Sequence, residues 1–383
     1  MKRLIFEPEH EQFRDTVRAF ISREIEPHAQ EWEAAGQVDR DIYRKAGEAG
    51  LVGFNVAEEF GGGGVDDFRF NVVVAEEMAR ASHAGPAFTL QNDVVVPYFT
   101  SLSNDEQRTR WLRGMATGET IVAVAMTEPG AGSDLAGIKT SAVRDGDDWV
   151  LNGSKTFISS GINSDLVVVV CRTNPDPAAK HKAFSLLVVE RGMAGFERGR
   201  KLDKMGLKSQ DTAELHFDNV RVPAANVLGQ VDQGFYHLMH NLPSERLSIA
   251  VTATAIARSV YEETLQYCKD RKAFGKPIGT FQANRFTLAE MATELDVAEA
   301  YIDRCIQGVL DGEASAVDAS KAKWWGTELS KRVVDSCLQL HGGYGYLRDY
   351  PLERIVRDLR VHQILEGTNE IMRVIIAREM LRG

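Results

Sequence analysis

Several loop segments carry residue types able to do chemistry. Thr127-Glu-Pro-Gly-Ala-Gly-Ser-Asp134 follows an apolar run and offers backbone N–H groups and two hydroxyls to a flat or anionic ligand. It meets neither phosphate-loop pattern. Ile138 separates Gly137 from Lys139, where a P-loop needs Gly-Lys, and Leu135 stands where a dinucleotide fingerprint needs its third glycine. A Pro-Gly turn explains the same residues equally well. Arg271-Lys-Ala-Phe-Gly-Lys-Pro-Ile-Gly-Thr-Phe-Gln282 joins two long helical patterns and sets three cations at helix ends. That segment reads either as a phosphate grip or as a solvated turn whose cations suit a helix C-terminus. Gln339-Leu-His-Gly-Gly-Tyr-Gly-Tyr346 ends a helical pattern in glycines, and Glu366-Gly-Thr-Asn-Glu370 precedes the last one. Thr368 or Asn369 is placed to cap that last helix, which would present N–H groups to an anion. A Glu before a Gly-Thr turn is not by itself a catalytic signal.

The elements that must position these loops fall into three stretches. From Glu7 to about Gly118 apolar residues recur at helical spacing, as in Phe13, Val17, Phe20 and Ile21, or Val72, Val73, Glu76 and Met78. Gly61 to Gly64 interrupt them, as a plain turn or as a close backbone approach. From Ile121 to Val231 the pattern changes to short β-rich runs: Ile121 to Met126, Trp149 to Leu151, Asp165 to Arg172, Ala183 to Glu190 and Ala213 to Val222. Their connections are too short for crossover helices, which argues against a doubly wound parallel sheet. Helical periodicity returns after Gly234, notably over Ser244 to Lys269, Phe281 to Leu310 and Asp318 to Leu340. The expected architecture is α+β and multidomain: an N-terminal helical domain (1–120), a central β-barrel domain (121–232) and a C-terminal four-helix bundle (233–383).

The 383 residues are enough for two or three domains at ~150 residues each. A formal charge of −10 makes the whole surface a poor partner for nucleic acid or an anionic membrane, so a polyanionic ligand must be caught locally. No apolar run approaches the ~20 residues of a membrane span. Met-Lys-Arg-Leu-Ile-Phe-Glu at the start has no apolar signal core, and the expectation is a cytoplasmic protein. Cys171, Cys268, Cys305 and Cys337 fit no metal spacing and read as reduced core residues. No metal is expected.

Taken together the segments are more specific than any one alone. M-T-E-P-G-A-G-S-D, L-N-G-S-K-T-F-I-S, R-K-A-F-G-K with F-Q, Q-L-H-G-G-Y-G-Y and L-E-G-T-N-E-I-M-R stand in the order and spacing of the acyl-CoA dehydrogenase family, and the resemblance covers nearly the whole chain. R-K-L-D-K-M-G-L-K-S-Q-D-T-A-E-L resembles the long-chain type. G-Y-G-Y-L-R-D-Y and the segment R-V-H-Q-I-L-E-G-T-N-E-I-M-R resemble the isobutyryl, short branched-chain type.

The resemblance implies FAD between the β-domain and the C-terminal helices, completed by a neighbouring subunit of a homo-oligomer, a dimer of dimers. The matching flavin positions are Met126, Thr127 and Ser133 on one loop, and Phe157, Ile158 and Ser159 on another, with Phe157 where many relatives carry Trp. Arg271, Gln282, Gln339, Leu340, His341, Gly342 and Gly343 match positions that hold pyrophosphate and adenosine, and Thr368 and Glu370 complete the nucleotide pocket. Ser133, Arg246 and Gly367 match positions at the acyl-CoA. The implied reaction removes the α-proton of an acyl-CoA thioester while the β-carbon gives hydride to the flavin, leaving a trans-2-enoyl-CoA. Electrons then pass to an electron-transfer flavoprotein. The implied base is Glu366 for most members, or Glu245, in Pro-Ser-Glu-Arg, for the long-chain and isovaleryl types. This chain carries both, and the assignment made here is Glu366, with Glu245 the alternative base, otherwise an ion-pair partner of Arg246 or Arg285. Other activities hosted by the same fold are a DNA-associated relative without dehydrogenase activity and an oxygen-using oxidase or monooxygenase. The negative charge and the intact Glu-Gly-Thr turn weigh against the first; monooxygenase relatives generally lack the Glu and oxidases are longer, so neither of the others fits well.

Overall fold

The computed structural model describes residues 3–81 and 85–382; the first two residues of the N-terminal heptapeptide lie outside them. The first stretch folds as α1 (Pro8–Phe20), α2 (Ala29–Ala35), α3 (Asp41–Glu48), α4 (Phe68–Arg80), α5 (Val96–Leu102) and α6 (Asp105–Ala116). Val17 and Phe20 of α1, with Ile21 just beyond its end, pack with Val73 and Val74 of α4, the contact their helical spacing requires. Starts are well capped. Asn104 and Gln107 form a reciprocal capping box on α6, and the Asp67 carboxylate accepts from Arg69 N at the start of α4. The Gly61–Gly64 segment is both a turn and a close approach. A Cβ on Gly62 would sit 2.1 Å from the Val56 carbonyl oxygen, so the chain's own backbone excludes any side chain there.

The middle stretch forms β1 (Val122–Ala125), β2 (Ser141–Asp145), β3 (Asp148–Ser159), β4 (Leu166–Arg172), β5 (Phe184–Glu190), β6 (Phe196–Lys201), β7 (Thr212–Pro223) and β8 (Val227–Leu228). They make one curled sheet in the order β6-β7-β3-β2-β4-β5-β8, with β1 added parallel to β4 and Val122 opposite Leu166. Inward residues such as Ala123, Leu151, Val167, Leu187, Leu215 and Val220 fill its interior. Sequence reading missed β2, β6 and β8. Ser-Ala-Val-Arg-Asp and Phe-Glu-Arg-Gly-Arg-Lys are polar edge-like runs, and β8 has two residues, so none carries a strong alternation.

The last stretch has three long helices, α7 (Gly234–Asp270), α8 (Gln282–Leu310) and α9 (Ala316–His341), with α10 (Pro351–Leu359) and α11 (Asn369–Met380) laid against α9. α7 begins at Gly234, next to where helical periodicity was expected to return, takes in the Ser244–Lys269 stretch and runs through Pro243. A two-stranded ribbon, β9 (Lys272–Ala273) and β10 (Lys276–Pro277), joins α7 to α8. All four cysteines are buried and unbridged, as expected.

Candidate active site

The α7 helix brings Glu245 and Arg246 under the turn that precedes α11. Glu245 is 1% exposed, and its Oε1 accepts the Tyr98 hydroxyl of α5 at 2.7 Å. Its other oxygen is buried without a partner, and so is Oε2 of Glu366. The expected ion pair of Glu245 with Arg246 or Arg285 does not form. Instead the Arg246 Nε donates to the backbone carbonyl of Glu366 at 3.3 Å, and Tyr98 takes the place of a cation.

Burial raises both carboxyls, because a charge loses its hydration there. Glu245 is pushed up to about 7, against the Tyr98 hydroxyl and Arg246, which favour its charged form. Glu366 is raised well above the usual carboxylate range by burial and then by Glu245, while Lys323 and Arg246 oppose. Two carboxylates so placed titrate as a pair.

The turn itself is unusual. Glu366 and Gly367 have φ of 52° and 93°, a left-handed step that costs a non-glycine residue about 1–2 kcal/mol. Thr368 caps α11, its side chain accepting from Ile371 N, as the sequence suggested. Among the described residues the backbone N–H of Glu366 donates to no protein acceptor, so it is available to a ligand.

A second group lies at the far end of the bundle. Arg271, Gln339, Leu340, His341, Gly342 and Gly343 line a cavity of about 480 Å³ together with Tyr267 and Tyr344. The Arg271 guanidinium sits 5.2 Å from the Tyr344 ring centroid, and no carboxylate is in ion-pair range of it among the described residues. Tyr267 and His341 stack at 4.1 Å. A Cβ added to Gly342 or Gly343 would meet nothing within 4 Å, so their backbone faces open space. One unpaired cation, bare backbone and flat rings suit a dinucleotide. Gln282 and Glu370, named with this group from sequence, are exposed and do not line the cavity.

A third group sits on the β-domain. Met126 and Thr127 follow β1, and Thr127 O accepts from Thr156 N at 3.0 Å, which ties the first loop to the end of β3. A register shift between Lys155 and Ile158 re-aims Phe157, whose φ is 59° and whose ring is 67% exposed. Ile158 is only 2% exposed, so its side chain belongs to the sheet interior and only its backbone can face a ligand. Ser133 is exposed on the first loop.

Sequence reasoning missed Asp93, Tyr98, Lys323 and His362, all buried around the carboxylate pair. For Lys323 a signal existed. Ala319, Lys323, Thr327 and Ser330 follow helical spacing, and all are buried, so helical phase alone sets the lysine inside.

Comparison with known proteins identifies the family. Residues 7–119 match the acyl-CoA dehydrogenase N-terminal domain, 123–220 its middle domain and 232–381 its C-terminal domain. The chain therefore belongs to the acyl-CoA dehydrogenase family, a class of oxidoreductases. It is 48% identical over 379 residues to the mitochondrial long-chain specific acyl-CoA dehydrogenase of Sus scrofa, covering 99% of this chain and 88% of that one. It is 37% identical over 377 residues to the mitochondrial isobutyryl-CoA dehydrogenase of Bos taurus, covering 98% and 89%. The crystal structure of an acyl-CoA dehydrogenase from Geobacillus kaustophilus superposes with a TM-score of 0.96 at 47% identity, covering 98% and 99%. Among the described residues no helix is long and apolar enough to cross a membrane.

Proposed function

We propose that this chain oxidises an acyl-CoA thioester to its trans-2-enoyl-CoA, with Glu366 as the base. An α-proton beside a thioester is a very weak acid, so the carbonyl oxygen must be stabilised as enolate charge develops. The unengaged N–H of Glu366 is the donor for that oxygen, and the adjacent carboxylate takes the proton, so one residue serves both atoms. Burial raises that carboxyl well above the usual carboxylate range, the direction that strengthens it as a base. Glu245 is shut behind Tyr98 at 1% exposure, whereas Glu366 sits on a partly accessible turn, which favours Glu366. Arg246 holds the turn through the Glu366 carbonyl, and Ser133 and Gly367 would contact the acyl-CoA.

FAD, when bound, supplies the two-electron acceptor for the hydride from the substrate's β-carbon. Met126, Thr127, Ser133, the Phe157 ring, the Ile158 backbone and Ser159 would hold its flavin half, with Thr368 and Glu370 beside the nucleotide. Arg271, Gln282 and Gln339 to Gly343 would hold the pyrophosphate and adenosine of a neighbouring copy. Helical rise sets Arg271 about 39 Å along α7 from Glu245, too far for both to serve one cofactor within one chain. This supports a homo-oligomer, a dimer of dimers. Its domains would be 1–120, 121–232 and 233–383, its electron acceptor an electron-transfer flavoprotein and its compartment the cytoplasm.

The observation that carries the reading is the Glu366 turn, with a buried unpartnered carboxylate oxygen and an unengaged N–H on the same residue. The test is anaerobic addition of straight and branched acyl-CoAs to the flavin-loaded protein. Bleaching is expected, with long straight chains giving the highest kcat/KM, in line with the higher identity to the long-chain relative. No bleaching with any acyl-CoA would exclude dehydrogenation, and rapid reoxidation by air would make the protein an oxidase.

A further inference from the structure

Beneath the Glu366 turn lies a lysine that no part of the proposed reaction uses. Lys323 of α9 is fully buried, and its Nζ donates to the Gly367 carbonyl at 2.8 Å and to Asn369 Oδ1 at 3.1 Å. Asn369 is fixed in turn. Its Nδ2 donates to Thr327 Oγ1 at 3.0 Å and to Glu328 Oε1 at 3.1 Å, and Thr327 Oγ1 donates back to the Lys323 carbonyl at 2.8 Å. Among the described residues no carboxylate forms an ion pair with Lys323.

A buried cation without a counter-ion is costly, and an apolar side chain of its size would serve stability better. Burial accordingly lowers Lys323 to about 8. Its position explains why it is tolerated. Two consecutive residues with positive φ persist only where surrounding contacts over-determine them, and Lys323 and Arg246 clamp the two successive carbonyls of that step.

We propose that Lys323 is a positioning residue for the reaction: it pins the Gly367 carbonyl so that the Glu366 carboxylate and N–H keep their aim, and its charge favours the ionised base. This rests on Glu366 being the base. Among the described residues the charged and titratable groups acting on Glu366 are Glu245 and Arg246 from α7, Asp93 from the segment before α5, Tyr98 from α5 and Lys323 from α9. Lys323 is itself flanked by Glu328 of α9, His362 from the segment after α10 and Glu370 of α11. Of the groups acting on Glu366, the Lys323 cation does most to hold its carboxyl down.

The experiment compares Lys323→Met with wild type as holoenzymes, by anaerobic flavin reduction across pH and by thermal melting. Loss of aim should slow reduction by about 100-fold at saturating substrate, the scale of a small misplacement of reacting groups. Loss of the cation should move the acid limb of the profile to higher pH by about one unit or more. Melting should stay level or rise, since the variant removes an uncompensated buried charge. Lys323→Gln keeps a donor without the charge. It should show the same shift in pH with a smaller loss of rate, and it serves alone if the Met variant does not fold. A variant that melts lower yet retains the wild-type rate per folded flavin and the wild-type pH profile would overturn the proposal and leave Lys323 purely structural. Bleaching of the wild type, measured alongside, separates this failure from failure of the functional reading, and loss of reduction in Glu366→Gln verifies the base on which it rests.

Discussion

The Tyr98 hydroxyl ties Glu245 back to α5 at 2.7 Å, while the Glu366 carboxylate accepts no hydrogen bond from the protein among the described residues. The two acids share burial but not freedom. The tethered one shapes the electrostatics of the free one, and their substitutions must therefore differ in kind.

Glu366→Gln keeps size and removes the base, so acyl-CoA should still bind while anaerobic flavin reduction slows at least ~100-fold. Glu245→Gln should retain reduction and alter KM or chain-length preference. Removing the Glu245 anion also lowers the cost of ionising Glu366, so the acid limb of the reduction profile moves to lower pH. If Glu245→Gln abolishes reduction and Glu366→Gln retains it, the roles are reversed.

Asp93 offers a stability test of the same buried polar region. Burial raises its carboxyl from 3.8 to about 6, against hydrogen bonds from Ser248 and Asn71. An acid that holds its proton more tightly folded than unfolded favours the native state fully below pH ~4 and loses that contribution as pH rises through about 6. Two pKa units correspond to about 3 kcal/mol. Asp93→Asn cannot ionise, so its melting temperature relative to wild type should improve between pH 4 and pH 8. A difference that stays flat across that range would show that Asp93 does not titrate there.

Lys155 and Glu128 make a buried ion pair under the loops that carry Thr127 and Phe157. Lys155 is 0% exposed and donates to Glu128 Oε1 at 2.9 Å and to the Met126 carbonyl at 2.8 Å. Burial pushes Glu128 up, but bonds from Thr140, Lys139 and Lys155 outweigh it and hold its carboxyl below the usual range. Lys155→Met strands that carboxylate and should cost about 3–5 kcal/mol in denaturant unfolding. The loops carrying Thr127 and Phe157 lose their shared support, so flavin should be released more readily from the folded fraction. An unchanged unfolding midpoint would mean that the pair contributes nothing net.

Much of this architecture was legible because period and order are written locally. Val17, Phe20 and Ile21 announce α1 by spacing, and the apolar run Leu166 to Cys171 announces a strand buried on both faces. The loops were legible as family motifs, including Arg271 and Gln339 to Gly343, which the fold gathers around one cavity. What stayed hidden depends on contacts between distant segments. Tyr98 and Glu245 meet across two domains and nothing in Pro-Tyr-Phe or Ser-Glu-Arg encodes that pairing, so the sequence offered Glu245 only as an alternative base or as the partner of a cation, never of a hydroxyl. Ile158 was read as a flavin contact because it sits inside a motif. Strand alternation, once the bulge at Phe157 is counted, turns its side chain inward.

The proposed sharing of the cofactor between copies makes the last prediction. Arg271 caps the C-terminal end of α7, where the helix dipole alone would repel a pyrophosphate, so its guanidinium must supply the attraction. Arg271→Glu replaces that cation with an anion against the same negative end. The variant should elute with a lower flavin-to-protein ratio after gel filtration, and added FAD should restore it only at higher concentration. In the proposed arrangement Arg271 serves a neighbouring copy, so the loss should appear in mixed oligomers as well. Copies with intact Met126, Thr127 and Phe157 should lose flavin when their neighbours carry Arg271→Glu, and mixing differently tagged wild-type and variant chains measures this directly. Retention of flavin by every wild-type copy in such mixtures would confine each cofactor to a single chain and refute the bridging arrangement.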